Sequence, residues 1–178
     1  IETVLTVADE IREGYLFMAT KKGLVKKTPL SEFKNLRKNG LIAISLREGD
    51  ELLKVKVTRG DADIVIVSER GNAIKFNEQD VRPMGRTAAG VKSMNLREDD
   101  IAVCMDIAVD DEDLLVISEN GFGKRTPLVE YKRQNRGGVG LITYKISEKT
   151  GKVVGATVCK SEDELMLINT SGVAIRIN

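Results

Sequence analysis

The sequence predicts an all-β protein, a propeller-like partial ring of four-stranded blades. Three observations carry that prediction. The stretches "LFMATKKGLVKKTPLSEF", "IVIVSERGNAIKFNEQDV", "LLVISENGFGKRTPLVEY" and "LMLINTSGVAIRIN" align without gaps on Gly23, Gly71, Gly121 and Gly172, which are 48, 50 and 51 residues apart. Each stretch opens with an apolar run of strand length, as strands buried on both faces do. No apolar stripe of helical length and 3.6-residue period appears, which disfavours a helical solenoid.

The elements follow in chain order. "TVLTV" near the start matches a fourth strand with nothing before it, so residues 1–13 are expected to be a partial blade. Three repeats follow at about 14–61, 62–111 and 112–162, and a further partial blade at 163–178. In each repeat a first strand (Leu16 to Ala19, Ile64 to Val67, Leu114 to Ile117, Leu165 to Ile168) enters a tight turn. The turns "KKG", "ERG", "ENG" and "TSG" end on the aligned glycine, where a residue without Cβ takes positive φ at little cost. A second strand leaves the turn. Another glycine (Gly40, Gly90, Gly140) then introduces a third run (Ile42 to Leu46, Val91 to Leu96, Leu141 to Ile146), followed by an acidic turn and a fourth run such as "LLKVKV" or "IAVCMDI". That gives four strands per unit.

At 178 residues with 42% hydrophobic side chains, the chain suffices for one domain with a real core. The longest apolar runs are too short for a membrane span and no basic-then-apolar leader is present, so a soluble, cytoplasmic protein with no membrane partner is expected. Cys104 and Cys159 lie in apolar strand-like runs without metal-ligand or CxxC spacing and read as buried free thiols. Histidine and tryptophan are absent. The commonest general base and metal ligand are thereby missing, and no catalytic, metal or cofactor site is expected.

Charge is nearly balanced overall, with 28 basic and 27 acidic residues, but it is sorted by position. Residues 21–38, 70–86 and 120–136 together carry sixteen Lys or Arg against four acids, leaving twelve basic and twenty-three acidic groups elsewhere. The fourth residue after the aligned glycine is always basic: Lys27, Lys75, Arg125 and Arg176. The eleventh is basic in all three complete units: Lys34, Arg82 and Lys132. Lys26, Arg37, Lys38, Arg86, Lys124, Arg133 and Arg136 fill the same segments. In a ring of blades equivalent positions share a level, so these side chains are expected to form an outward-facing belt suited to an extended polyanion. Its affinity would arise from counterion release and fall steeply with salt. The plainer reading is a solvated rim that keeps strand edges soluble.

The stretch "RQNRGGVG" falls in this scheme, in the loop before the third strand of its unit. Its glycines would let backbone N–H groups approach a phosphate while Arg133 and Arg136 supply charge. A flexible turn ahead of a strand is the alternative reading.

"GLVKKTPLSEF", "GDELLKVKVT", "VRPMGRTAAGVKSMNL", "NGFGKRTPLVEY" and "GKVVGATV", in this order and spacing, resemble the C-terminal domain of bacterial DNA gyrase A. The resemblance runs from about Gly14 to Asn178. It implies a six-bladed β-pinwheel whose outer rim binds duplex DNA largely regardless of sequence and wraps it in a positive sense. It also implies partnership with the rest of gyrase A and with gyrase B in ATP-dependent negative supercoiling, and a nucleoid-associated place in the cell. The family's box Gln-Arg-Arg-Gly-Gly-Lys-Gly is approximated by Gln134-Asn135-Arg136-Gly137-Gly138-Val139-Gly140, where Asn135 and Val139 replace two of its three cations. This is a degenerate copy, and the full box is expected in a blade outside this sequence. The corresponding C-terminal domain of topoisomerase IV is the nearest family alternative.

Independent enzymatic activity is disfavoured. "GFGKRT" around Lys124 lacks the first glycine of a phosphate-binding loop and aligns with three other hairpins. Tyr131 aligns with Phe33 and Val81, which marks a packing position, and the resemblance places the DNA-cleaving tyrosine in a separate N-terminal domain. A propeller-type scaffold offering its basic belt to an acidic protein partner is the competing hypothesis.

Overall fold

The computed structural model describes residues 13–34 and 39–177. The expected strand "TVLTV", Arg37 and Lys38 lie outside the described residues. Strand β1 (Tyr15–Thr20) and β2 (Leu24–Pro29) form a hairpin, and β3 (Leu52–Thr58) pairs with the other side of β1. The second unit repeats this with β4 (Asp63–Ser68), β5 (Asn72–Asn77), the two-residue β6 (Val91–Lys92) and β7 (Ala102–Ala108). The third has β8 (Asp113–Ser118), β9 (Gly123–Pro127), the two-residue β10 (Leu141–Ile142) and β11 (Val153–Cys159). A hairpin of β12 (Leu165–Ile168) and β13 (Ala174–Ile177) follows.

The four hairpin turns are built alike. Gly23, Gly71, Gly121 and Gly172 have φ of 78°, 80°, 79° and 83°, the left-handed region that favours glycine. Each donates its N–H to the residue three before it: Thr20, Ser68, Ser118 and Asn169, at 2.9 to 3.0 Å. A short 3-10 turn follows the second strand, at Leu30–Phe33, Glu78–Asp80 and Leu128–Glu130. Its first N–H reaches back sixteen residues to Gly14, Ala62 or Glu112, pinning the hairpin to the start of its own unit.

Sequence unit and structural blade do not coincide. The sheets run β3-β1-β2-β6 and β10-β5-β4-β7, so each blade takes three strands from its own unit and the fourth from the next. After each 3-10 turn the chain crosses to the preceding blade. It forms isolated parallel bridges there, Pro83 to Lys27 and Arg133 to Lys75, and then pairs antiparallel as β6 or β10. The predicted third strands are thus real but only two residues long, and they belong to their neighbours. Ile42 to Leu46, expected to be the first of them, forms no strand among the described residues. Its counterparts draw their hydrogen bonds from the second strand of a preceding blade.

Burial on both faces of the first strand follows from the stacking of blades. In β4, Ile64 and Ile66 join a cluster with Phe17, Phe76 and Met94, while Val65 and Val67 join a second cluster with Leu114, Leu128 and Tyr131. Successive side chains in a strand point to opposite faces, so an unbroken apolar run serves two interfaces at once. Strands β3, β7 and β11 pack beside one another. The blades therefore fan outward from that edge, with β6 and β10 on the opposite, outer edge.

Gly71 and Gly121 share a φ near 80°, but they differ in surroundings. A Cβ on Gly71 would lie 2.1 Å from the Tyr144 carbonyl oxygen, whereas one on Gly121 meets nothing within 4 Å. Gly121→Ala is expected to cost about 1 kcal/mol, the strain of a left-handed alanine. Gly71→Ala is expected to cost at least about 3 kcal/mol, because backbone must also move. Urea unfolding midpoints of the two variants measure the difference.

Candidate nucleic-acid interface

Of the four basic residues four places after the aligned glycine, Arg125 and Arg176 are exposed but Lys27 and Lys75 do not face outward. Lys27 is 4% and Lys75 5% exposed. Lys27 Nζ donates to the Glu78 carbonyl oxygen (2.8 Å) at the 3-10 turn of the next unit. It also lies 3.9 Å from the Glu78 carboxylate and 5.1 Å from the centre of the Tyr15 ring. Lys75 Nζ makes the equivalent contact one blade on, to the Leu128 carbonyl oxygen (3.2 Å), and bonds Asp110 (2.5 Å). Because the following unit crosses over β2 and β5, it roofs these lysines and supplies carbonyls that satisfy them. Both are locks between blades and are unavailable to phosphate. Glu78 is itself fully buried, accepting from the N–H groups of Gly60 (3.0 Å) and Ala62 (2.8 Å) and from the Thr58 hydroxyl (2.7 Å). Its carboxylate thus ties the β3–β4 connection to the lysine lock, a role that sequence reading missed because Leu128 occupies the same position in the next unit.

Lys26 is likewise withdrawn from the belt. It is fully buried, donating to the carbonyls of Ala43 (2.5 Å) and Arg86. Burial, and secondarily the charge of Arg86, push its pKa down to about 8. Arg136 is half-buried and commits its guanidinium to the carbonyls of Asp80 (2.8 Å) and Lys92 (3.0 Å). In "RQNRGGVG" Gly140 stands at the turn ahead of β10, where a Cβ would lie 2.3 Å from the Ala73 carbonyl oxygen. The glycine admits close backbone approach to β5, and the Gly137 N–H already donates to the Ser93 carbonyl (2.6 Å).

The eleventh position behaves differently. Lys34, Arg82 and Lys132 are all exposed, each just past the 3-10 turn of its unit, and none pairs with an acid among the described residues. A 3-10 turn at the end of the second strand places this side chain where the chain leaves its own blade for the neighbour, on the outer side. Around these three stand cations with partners. Arg133 pairs with Asp63 (2.9 Å), Arg125 with Asp113 (2.5 Å) and Arg176 with Glu164, and Lys124 donates to the Thr143 carbonyl (3.2 Å). Arg125, Arg133 and Arg176 keep 43%, 61% and 64% of their side chains exposed. The Arg176–Glu164 pair, exposed on both sides, is of the solvated kind that contributes little and is readily exchanged. Arg86 is half-buried over Lys26. Lys92, on the outermost strand β6, is exposed, and its Nζ donates to the Asn95 side chain (3.3 Å). Sequence reading missed it because it lies outside the basic windows; the signal was its place in the run that closes the outer edge.

Asp106 on β7 is 5% exposed and takes Lys56 (2.7 Å) and Lys54 (3.9 Å) of β3 across the blade interface. Cys104 and Cys159 are buried free thiols, and burial raises the Cys104 pKa to about 12, which leaves it inert. Tyr131 is 3% exposed and bonded to the Thr143 hydroxyl, a packing residue. No group of metal-ligating side chains gathers among the described residues, and no helix there is long and apolar enough to cross a membrane.

Comparison with known proteins gives a consistent result. The family model described as DNA gyrase C-terminal domain, beta-propeller, matches residues 14–59, 62–103 and 112–160. DNA gyrase A of Clostridium acetobutylicum is 64% identical over the whole chain, and that of Staphylococcus epidermidis 46%. The chain spans only 21% and 20% of the length of these relatives. Among solved structures, a DNA gyrase A C-terminal domain superposes with TM-score 0.83 at 31% identity, covering 93% of this chain and 55% of that one. A C-terminal domain of DNA topoisomerase IV superposes with TM-score 0.92 at 28% identity, covering 99% and 55%.

The Lys26 site has a pH signature. Its folded pKa, about 8, lies below the ordinary 10.5, so between these values the unfolded chain holds a proton that the folded chain has released. Stability therefore rises with pH across that window. The urea midpoint is expected to climb from pH 8 to pH 10 in the native chain and to climb less in Lys26→Met, which keeps the stem and loses the titrating group.

Proposed function

The chain belongs to the DNA gyrase C-terminal domain family of beta-propellers, and on that footing we propose that it binds double-stranded DNA along its outer edge, largely regardless of sequence, and bends it. The observation that carries this reading is the eleventh-position series: Lys34, Arg82 and Lys132, exposed and without acid partners among the described residues, at equivalent places of successive units. Arg125, Arg133, Arg176, Lys124 and Lys92 extend the track. Cations in register on blades that fan from a common edge meet a curved duplex better than a straight one. Bending 20–30 base pairs smoothly costs on the order of 1–6 kcal/mol, which several spaced phosphate contacts offset. No helix of groove-reading length occurs among the described residues, so the contacts position the duplex and read little of its sequence.

Within gyrase the domain is an accessory to the catalytic parts of gyrase A and to gyrase B. It holds DNA in a positive wrap while they carry out ATP-dependent negative supercoiling, in the cytoplasm on the nucleoid. It needs no cofactor or metal of its own for this.

Binding of a duplex at several salt concentrations tests the proposal. Each phosphate contact adds about 0.9 to the slope of log K against log salt. Replacing Lys34, Arg82 and Lys132 together with glutamine is expected to lower that slope by about 2.7, with the unfolding midpoint unchanged. Lys75→Met is expected to do the reverse, lowering stability by about 1 kcal/mol through the Leu128 carbonyl left without its donor and leaving the slope as it was. A native slope near zero would refute DNA binding by this surface.

A further inference from the structure

Arg133 is held differently from the exposed lysine beside it. Its Nε and Nη2 both donate to Asp63 Oδ2, at 3.2 and 2.9 Å, which spends one edge of the guanidinium. The opposite edge is formed by Nη1 and the outer N–H of Nη2, and Nη1 has no hydrogen-bond partner among the described residues. Asp63 is fixed in turn. Its side chain is 12% exposed, and Oδ1 accepts from Asn77 Nδ2 (2.8 Å). Asn77 also donates to the Asp61 carbonyl (3.0 Å), and its own side-chain oxygen accepts from the N–H of Gln79 (3.0 Å). The backbone around Arg133 is held as well, by the parallel bridge to Lys75 and by the Gln134 N–H on the Lys75 carbonyl (2.8 Å). Asp110, the other acid whose charge meets Arg133, is taken by Lys75 (2.5 Å).

The fold does not require this chain of contacts. In the β1–β2 blade the same three positions, counted from the aligned glycines, are Tyr15, Pro29 and Pro83. Tyr15 pairs with Pro29 as Asp63 pairs with Asn77, and Pro83 bridges Lys27 as Arg133 bridges Lys75. A blade of the same register is therefore built from three residues that hold no guanidinium. What the β4–β5 blade gains is an arginine anchored at both ends, exposed, next to the exposed Lys132, with an edge of parallel donors unspent. Such an edge matches two oxygens of a phosphate.

We propose that Asp63 and Asn77 are positioning residues that set Arg133 as a fixed, bidentate clasp for one phosphate of a duplex on the outer edge of the β4–β5 blade, an assignment that rests on the DNA-binding reading. Order is the first consequence. The long side chain has given up its freedom in the unbound protein, so its contact costs less to form than one from a lysine loose in solvent. Charge gives the clasp a second mark. The Arg133–Asp63 pair is neutral as a whole and displaces no net counterion from the duplex, so it adds affinity alone, whereas Lys132 adds affinity together with salt dependence.

Duplex binding across a range of salt concentrations separates these contributions, with urea midpoints as the folding control. Arg133→Gln is expected to weaken binding about tenfold at every salt concentration and to leave the slope of log K against log salt unchanged, where Lys132→Gln lowers it by about 0.9. Asp63→Asn is expected to raise the slope by about 0.9, because the charge is freed, and to bind more weakly than the native chain at high salt, because the side chain is freed too. Asn77→Pro installs the residue of the first and third units and is expected to keep the fold and the slope while weakening binding several-fold. Three results would each overturn the proposal: a native chain that binds duplex while Arg133→Gln binds it equally well; a slope lowered by about 0.9 in Arg133→Gln, the mark of an ordinary free cation; or tighter binding by Asp63→Asn at every salt concentration, which makes Asp63 a rival of phosphate. Absence of duplex binding by the native chain would overturn the DNA-binding reading itself, and the clasp with it.

Discussion

Strands β6 and β10 have two residues each, yet each closes a blade that belongs to the preceding unit. A two-residue pairing is too small to hold by its own hydrogen bonds, so the connection leading to it must be fixed by other means. The lysine four residues after the turn glycine provides this, reaching from one blade to the first carbonyl of the 3-10 turn in the next. The lock, the parallel bridge beside it and the glycine that lets two backbones touch form one unit, made twice with the same spacings. Blade stacking, the doubly buried first strands and the course of the outer edge all depend on it.

Such a lock has an energetic asymmetry. A buried ammonium is tolerated because carbonyls, a carboxylate or an aromatic face satisfy it, and taking any one partner away leaves a charge in a dry place. The gain over an apolar side chain is small. What the arrangement secures is register: only the correct loop brings a carbonyl to the waiting Nζ. The Lys27 and Lys75 sites solve the remaining charge differently. Glu78 balances the first from within the core, and Asp110, whose carboxyl is held below its ordinary pKa by the Lys75 hydrogen bond, balances the second from solvent.

Near-zero net charge conceals a separation that the fold puts to use. Buried cations of the fourth position are neutralised between blades, Lys54 and Lys56 are drawn to Asp106 near the common edge, and the exposed cations of the eleventh position have no acid partner among the described residues. An outer edge basic in this way, on blades that diverge from a shared inner edge, is what the proposed bending of a duplex calls for.

The sequence by itself determined the repeat, the all-β class, the hairpin turns and the apolar runs, because each depends on local rules: a glycine at positive φ, a period of two, and the absence of a helical stripe. Tyr131 as a packing position and the buried thiols were legible for the same reason. Family membership was legible in the ordered motifs. Only the tertiary structure decided which cations are inside. Lys27 and Lys34 are both lysines at repeated positions in one basic segment, and nothing local distinguishes them. Burial of the first comes from a neighbouring unit fifty-one residues away that crosses over it, a contact between segments remote in the chain. For the same reason the four strands of the second and third units could be counted from the sequence while their assignment to blades could not: a strand's hydrogen-bond partner is chosen by the crossing of the chain and leaves no trace in its own two residues.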